Sequence, residues 1–392
     1  MILSKMKEKN NSLIVKKIEN FLSKKNRRLH DPSFFGNEIN YLKDCINTSF
    51  VSSVGKYVNK LESEICKLTK SRYSVATSSG TAALHLALKY YNVNSNDEIL
   101  LPSFTYVATG NAIKYCNATP NFLDIEKESL GICPTKLNNY LKRISTKHGK
   151  FTYNKYTNKK IKALIVVHVY GFPSKINEIL KICKKYNILL IEDAAEAVGT
   201  KYKDKHVGTF GDIGIISFNG NKTITTGSGG LILCKKNKIA KKIKHLSTQS
   251  KINKQFDHIH DEIGFNYRMN NLSAAVGCAQ LENLTKIISA KRNNFKKYSK
   301  LLKNFNDVEI MKEPNFAKSN YWLVILKCKN LKLKIYLIKK FKEKKIGIRF
   351  TWRPLHQLKI FKNCPKDNLK NSVDIFNSTL TLPSSPNISL KK

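Results

Sequence analysis

The run Ser217-Phe218-Asn219-Gly220-Asn221-Lys222-Thr223, followed by Gly227-Ser228-Gly229-Gly230, sets a lysine between an apolar strand candidate and a glycine-rich turn. A lysine becomes a covalent catalyst when burial or a neighbouring cation frees its amine from its proton. Upstream, Ile188-Leu189-Leu190-Ile191 reads as a buried parallel strand that ends in Glu192-Asp193-Ala194-Ala195-Glu196. That places the Asp193 carboxylate at the strand's C-terminal end, the edge where open α/β sheets bind ligands. In Ser78-Ser79-Gly80-Thr81-Ala82, small residues open an amphipathic helix. Free amides there, with the hydroxyls of Ser79, Thr81 and Ser217, would hold an anion such as a phosphate. Each feature has a plainer alternative. Lys222 could be a loop lysine in a lysine-rich chain, and Asp193 and Ser79 could be ordinary helix caps.

Taken together, the amine, the acid and the anion seat are the parts that pyridoxal 5'-phosphate needs. Lys222 would form the Schiff base, Asp193 would keep the pyridine nitrogen protonated, and the Ser79 turn would hold the phosphate. The elements that must position them alternate between strand and helix. Strands are expected at 74–77, 98–101, 119–123, 163–169, 189–193, 213–218 and 230–234, with helices at 57–69 and 273–284, a pattern that builds a mainly parallel sheet covered on both faces. A lysine-laced helix over 285–305 leads to a smaller α+β part with strands at 322–327 and 346–350.

The chain's 392 residues suffice for this two-part organisation, and 41% hydrophobic content supports a folded enzyme. A formal net charge of +42 raises a nucleic-acid role, but the excess is diffuse and nearly all lysine, which argues against one; it would still help to attract a diphosphate-linked substrate. The nine cysteines are scattered without metal-ligand spacing, which suits a reducing cytosol, and no metal is expected. His258-Ile259-His260-Asp261, the nearest thing to a ligand cluster, reads as a solvated loop. No apolar run is long enough to span a membrane. Residues 1–28 form a basic extension without the features of a secretory signal. Leu13, Ile14, Val15, Ile18, Phe21 and Leu22 could share a helical face, but a disordered or loosely packed tail is expected.

The order S-G-T-A-A-L, P-S-F-T-Y-V-A-T, H-V-Y-G, E-D-A-A-E, S-F-N-G-N-K and G-F-N-Y-R-M, spread from about Pro32 to Ser385, resembles the DegT/DnrJ/EryC1/StrS sugar aminotransferases. The resemblance implies a type I PLP-dependent aminotransferase fold, with a large PLP-binding domain over 29–284 and a smaller domain over 285–392. It further implies a homodimer with shared active sites, acting on nucleotide-sugar and amino-acid substrates; the cysteine pattern makes a cytoplasmic location the expectation. Ser217–Lys222, the polar stretch 153–160 and Ala317–Trp322 resemble the branch that aminates UDP-linked 4-keto-6-deoxy-N-acetylglucosamine for legionaminic acid or bacillosamine synthesis. By the same resemblance, Ser79, Gly80, Thr81, Ala82 and Ser217 hold the cofactor phosphate. Tyr106, rather than Phe104, covers its ring, Glu196 reaches its phenolic oxygen or orders Asp193, and Asn266 crosses to the partner's phosphate. Arg268 is alternatively an ion-pair partner. Ser52, Ser53, Asn320, Tyr321, Arg349 and His356 are expected at the sugar.

Phe350 departs from the family's usual proline, and the stretch from Pro383 to Lys392 lacks a last helix that relatives carry, which is expected to weaken the smaller domain. Two rival readings remain. One is a dehydratase of the same fold, in which histidine replaces the Schiff-base lysine retained here; the other is a basic scaffold protein without catalysis.

Overall fold

The structure, a computed structural model, describes residues 2–254 and 257–390. In the larger body the strands are β1 (Tyr73–Thr77), β2 (Asp97–Pro102), β3 (Thr119–Leu123), β4 (Ser145–His148), β5 (Phe151–Asn154), β6 (Lys159–Val167), β7 (Leu189–Asp193), β8 (Lys201–Tyr202), β9 (Lys205–His206), β10 (Ile213–Ser217) and β11 (Gly230–Cys234). The main sheet runs in the order β1-β11-β10-β7-β6-β2-β3. It is parallel from β10 to β3, while β11 is antiparallel to both of its neighbours.

Runs such as Ile213–Ser217 and Gly230–Cys234 are apolar and buried throughout because both faces of the sheet are covered. Successive side chains serve opposite faces. Ile99, Leu101, Ile165, Val167, Ile191, Ile215 and Ile232 point into one core; Leu100, Leu164, Val166 and Leu190 point into another, and Ile216 and Leu231 into a third on that same opposite face. Helices Gly80–Tyr90, Val107–Tyr115 and Asn237–Ser247 cover the first face; Pro134–Ile144, Ile176–Tyr186, Lys56–Thr69 and Asn271–Glu282 cover the other. Each such side chain contributes about 1.5–3 kcal/mol through burial.

The α/β class and mostly parallel sheet agree with the sequence reading, and the local differences have physical causes. The polar stretch 153–160 forms an antiparallel extension, in which β5 pairs with β4 and β6. Strand β6 stops at Val167 because His168 opens a short turn in which Tyr170 takes φ 56°. The strand expected from Trp322 begins at Val324, because residues 319–322 are folded back as a turn.

Beyond the ribbon β12 (Lys251–Lys254) and β13 (Asp257–His260), helix Leu284–Leu302 leads to a second body. Its strands are β14 (Val308–Ile310), β15 (Ala317–Lys318), β16 (Val324–Cys328), β17 (Arg349–Phe350) and β18 (Thr379–Leu382), of which β14-β16-β18-β17 form an antiparallel sheet. Strand β15 instead reaches back to β8 of the larger body.

The N-terminal stretch departs from expectation. It is a helix, Ile2–Phe21, whose Ile14, Val15 and Ile18, together with Leu22 just beyond it, are buried against helices Leu284–Leu302 and Leu331–Glu343. Leu13, grouped with them in the sequence, is 43% exposed, and Phe21 packs edge-on against Tyr298. The apolar stripe has a core to join, which is why a lysine-rich segment orders here. At the other end, Ser384 and Ser385 are tied in by bonds to Val324, Asp31, Lys291 and Asn294. Ile18→Ala is expected to lower stability by about 2–5 kcal/mol in urea unfolding, whereas Leu13→Ala should have little effect. Two equally silent substitutions would mean that this helix is not packed.

Candidate active site

Strand β7 ends with two acids that point to opposite faces. Glu192 faces the side of Leu190, where four donors meet its carboxylate: Gly208 N–H at 2.8 Å, Phe210 N–H at 2.6 Å, Gly211 N–H at 2.7 Å and His168 Nε2 at 3.1 Å. The Ser174 amide donates to His168 Nδ1 at 3.2 Å, so the imidazole proton sits on Nε2, toward Glu192. Burial alone would raise the Glu192 pKa, yet these bonds hold it below its ordinary value. Glu192 is a satisfied structural anion.

Asp193, one residue on, has fewer partners. Thr109 Oγ1 donates to its Oδ2 at 2.9 Å and the Ala195 amide to its Oδ1 at 3.1 Å; these neutral groups are its hydrogen-bond partners among the described residues. Burial raises its pKa, and the two bonds only partly offset this. The chain thus keeps a carboxylate under-compensated at the C-terminal edge of its sheet.

Lys222 reaches the same place from the loop after β10. Its Nζ lies 3.6 Å from Glu196 Oε1 and 4.1 Å from the ring centroid of Trp322, and the residue is only 9% exposed. Glu196 is fixed from its other side by the Tyr170 amide, which donates to Oε2 at 2.7 Å. Burial raises the Glu196 pKa against the opposing pull of Lys222.

The third component is the start of helix Gly80–Tyr90. Ser79 caps it, its Oγ accepting from the Ala82 amide at 3.0 Å. Close approach explains the small residues. A Cβ on Gly80 would stand 2.9 Å from Ser217 Cβ, and one on Gly230 would stand 2.5 Å from the Ser79 backbone. Ser217 therefore sits directly against the first turn, adding a hydroxyl to the amides of a helix N-terminus.

These groups open on one cavity of about 260 Å³, whose lining includes Ser79, Gly80, Thr81, Tyr106, Asp193, Glu196, Ser217, Lys222 and Arg349. A flat anionic cofactor fits the donor set, which combines small-residue amides and hydroxyls, a buried carboxylate hydrogen-bonded by neutral donors, and an amine on one cavity. Tyr106 is half-exposed with its ring 5.0 Å from that of Trp352, whereas Phe104 is wholly buried and belongs to the core. Sequence reasoning missed Thr109, Tyr170 and Trp322 as site residues, whereas Trp352 falls in the stretch 349–356 that the sequence puts at the sugar. Trp322 and Trp352 each stack on Tyr170, at 5.9 and 5.6 Å, to wall the cavity. Thr109 had a usable signal in Pro102–Thr109 after a strand end; the aromatic wall joins distant segments and had none.

Other expected site residues lie elsewhere. Asn320 and Tyr321 are buried, 0% and 1% exposed, and their polar atoms are spent within the chain: the Asn320 amide bonds Glu196 O, Val198 O and Thr223 Oγ1, and Tyr321 Oη accepts from the Glu313 amide. They support the wall and have no group free for a sugar, which corrects that expectation. His356 Nδ1 is paired with Ser103 Oγ at 2.7 Å, away from the cavity lining. Ser52, Ser53 and Asn266 are exposed and also lie outside it. Arg268 takes the alternative role, pairing with Glu62 at 3.1 Å and bonding Ala76 O. Among the described residues one group has metal-like spacing, His245, Asp261 and Glu262 at the surface, where Lys242 already pairs with Glu262 and His245 is hydrogen-bonded to Asp261.

Comparison with known proteins places the chain among aminotransferases. The chain is 40% identical over 295 residues to the GDP-perosamine synthase of Vibrio cholerae, covering 75% of this chain and 76% of that protein. It is 36% identical over 334 residues to the GDP-perosamine synthase of Escherichia coli O157:H7, covering 85% and 86%. Helicobacter pylori PseC, an aminotransferase involved in the biosynthesis of pseudoaminic acid, has the same fold, with a TM-score of 0.83 at 22% identity over 92% of this chain and 94% of that one. The profile of the DegT/DnrJ/EryC1/StrS aminotransferase family matches residues 33–392, and the chain belongs to that family.

Proposed function

We propose that the protein transfers an amino group from an amino acid, glutamate, to C4 of a nucleotide-linked 4-keto-6-deoxy sugar, using Lys222 as the proton-transferring amine. The observation that carries this reading is the convergence of Lys222, Glu196 and Asp193 on one cavity beside the Ser79–Ala82 helix start. Pyridoxal 5'-phosphate supplies the electron sink when bound. Ser79, Gly80, Thr81, Ala82 and Ser217 would hold its phosphate, Tyr106 would cover its ring, and Asp193 would keep its nitrogen protonated. In each half-reaction Lys222 Nζ would shuttle a proton between the substrate carbon and the bound cofactor, taking the α-proton of the amino donor in the first and, as an ammonium, delivering a proton to C4 of the sugar in the second. Glu196, 3.6 Å away, holds that ammonium between transfers. Arg349, on the cavity wall, would be the cation for a substrate anion. Asn266, exposed on this chain, would serve the site of a second copy in a cytoplasmic homodimer.

The sugar is proposed to be UDP-linked and N-acetylated, as for legionaminic acid or bacillosamine, because Ser217–Lys222 and Ala317–Trp322 resemble that branch. The GDP-perosamine named in two relatives makes a GDP-linked keto-sugar the second reading. Incubation with glutamate and UDP-, GDP- and dTDP-linked keto-sugars, followed through 2-oxoglutarate release, separates them; turnover confined to the GDP-sugar would replace the first reading with the second.

Lys222→Ala should stay folded, lose the visible absorption of bound cofactor, and transaminate about 10²–10⁴-fold more slowly. Borohydride reduction and peptide mapping should put the adduct on Lys222, and an adduct on another lysine would refute the assignment.

Asp193 gives a pH test. A carboxyl whose folded-state pKa is raised binds its proton more tightly folded than unfolded. Stability is therefore lost as the pH climbs from about 3.9, the unfolded value, through the raised folded value. Asn carries no charge, and the Thr109 hydroxyl can turn to accept from its amide. Cofactor-free Asp193→Asn is thus expected to melt above the wild type at neutral pH, with the gap closing toward acid, whereas with cofactor supplied it should be less active than the wild type. A variant that melts lower throughout would show that the buried charge is compensated.

A further inference from the structure

We propose that the turn from Asn320 to Trp322, which enters from the second body, is the positioning element for Lys222, with Trp322 as its principal residue. The inference rests on Lys222 being the reactive amine as proposed above. It concerns how that amine is held.

Trp322 meets the lysine and the residue before it through two independent contacts. Its ring face lies 4.1 Å from Lys222 Nζ, and its Nε1–H donates at 2.6 Å to the carbonyl of Asn221, the residue before the lysine. Asn320 grips the other side, its Nδ2 donating to Thr223 Oγ1 at 3.1 Å and to Glu196 O at 3.1 Å, so one amide ties the residue after the lysine to the acid that faces it. The two are coupled, because Asn320 Oδ1 accepts from the Trp322 amide at 2.9 Å. Lys291 Nζ, buried in helix Leu284–Leu302, donates to Trp322 O at 3.0 Å. Gly171, at φ +88°, makes room: a Cβ there would fall 2.0 Å from Asn320 Oδ1.

Besides this brace, the loop from Asn219 to Thr226 is tied to the strand end at Ser217 and Phe218, by the Asn219 and Thr226 amides and the Thr225 and Thr226 hydroxyls, and by the buried Ile224, which leaves residues 220–223 to their own turn and to the brace. An ammonium between a carboxylate and an indole face occupies one position rather than many. Trp322 thus sets where the freed amine waits between its two proton transfers.

The test uses Trp322→Phe, which keeps a ring face but loses the indole donor, and Trp322→Leu, which loses both. Hydrogen-exchange mass spectrometry on the full-length, cofactor-free protein reads the brace without any catalysis. In Trp322→Phe, amides of 219–226 should exchange about 5- to 10-fold faster, the worth of one net hydrogen bond. In Trp322→Leu the factor should rise to about 10- to 100-fold as the cation–π contact also goes. Strands β10 and β16 should exchange as in the wild type. With cofactor bound, kcat should fall in the same order while KM for the sugar stays within about 2-fold, with Phe partly rescuing Leu. Unchanged exchange in the loop, or equal acceleration in β10 and β16, would overturn the proposal, as would a loss confined to KM. An adduct on a lysine other than Lys222 in the wild type would instead sink the underlying assignment and leave the exchange result standing as a purely structural finding.

Discussion

A charge left short of partners at the edge of a sheet organises this molecule. Glu192 and Asp193 are neighbours on one strand and equally buried, yet the fold gives the first four donors and the second two. Pleating sends them to opposite faces. Glu192 faces the turn from Gly208 to Gly211, whose amides have no sheet partner of their own to satisfy, so chain and carboxylate complete each other. Asp193 faces the cavity, and a buried anion with only neutral donors is costly until a cation arrives. Stability is conceded at one carboxylate, and under the proposed function a cationic ring would recover it on binding.

That concession is local because the surroundings are rigid. The strand ends are locked into a core shared by helices on both faces, and the helix start at Gly80 is pressed so closely on Ser217 that no larger residue fits. The aromatic wall of Trp322, Tyr170 and Trp352 draws on three separated segments, and Tyr170 is held at φ 56° with its amide on Glu196 and its hydroxyl accepting from the Trp352 amide. The second body therefore contributes to the geometry of the lysine instead of merely covering it.

The parts of the site that were legible in the sequence are those whose chemistry is local. Lys222, Asp193 and the Ser79 turn each follow a strand or open a helix, so residue type and position within an element suffice. Thr109 was within reach by the same logic, one turn into the helix after β2. Asn320 and Tyr321 misled because a polar and an aromatic residue in a turn look free to bind until their partners are seen; those partners lie 97 to 124 positions away for the Asn320 amide. Likewise the helix Ile2–Phe21 depends on a groove between Leu284–Leu302 and Leu331–Glu343, and no local pattern in a lysine-rich segment reveals that such a groove exists.

The lysine excess sharpens the choice of Lys222. Three lysines are buried among the described residues, Lys222, Lys291 and Lys334. With 70 basic residues against 28 acids, most lysines must do without a carboxylate, and the two others show how. Lys291 directs its amine to His30 Nε2, Trp322 O and Ser384 O; burial pushes its pKa well down. Lys334 bonds Phe376 O and lies against the Phe350 and Phe376 rings, with burial lowering its pKa to about 8. Both amines are enclosed by carbonyls and rings and face no cavity shared with an acid. Lys222 alone of the three is set against a carboxylate, Glu196, at the wall of a chamber that also holds an under-compensated Asp193. A buried amine needs a carboxylate nearby if it is to carry a proton, and an open side if it is to meet a substrate; in this fold, one lysine of the three has both.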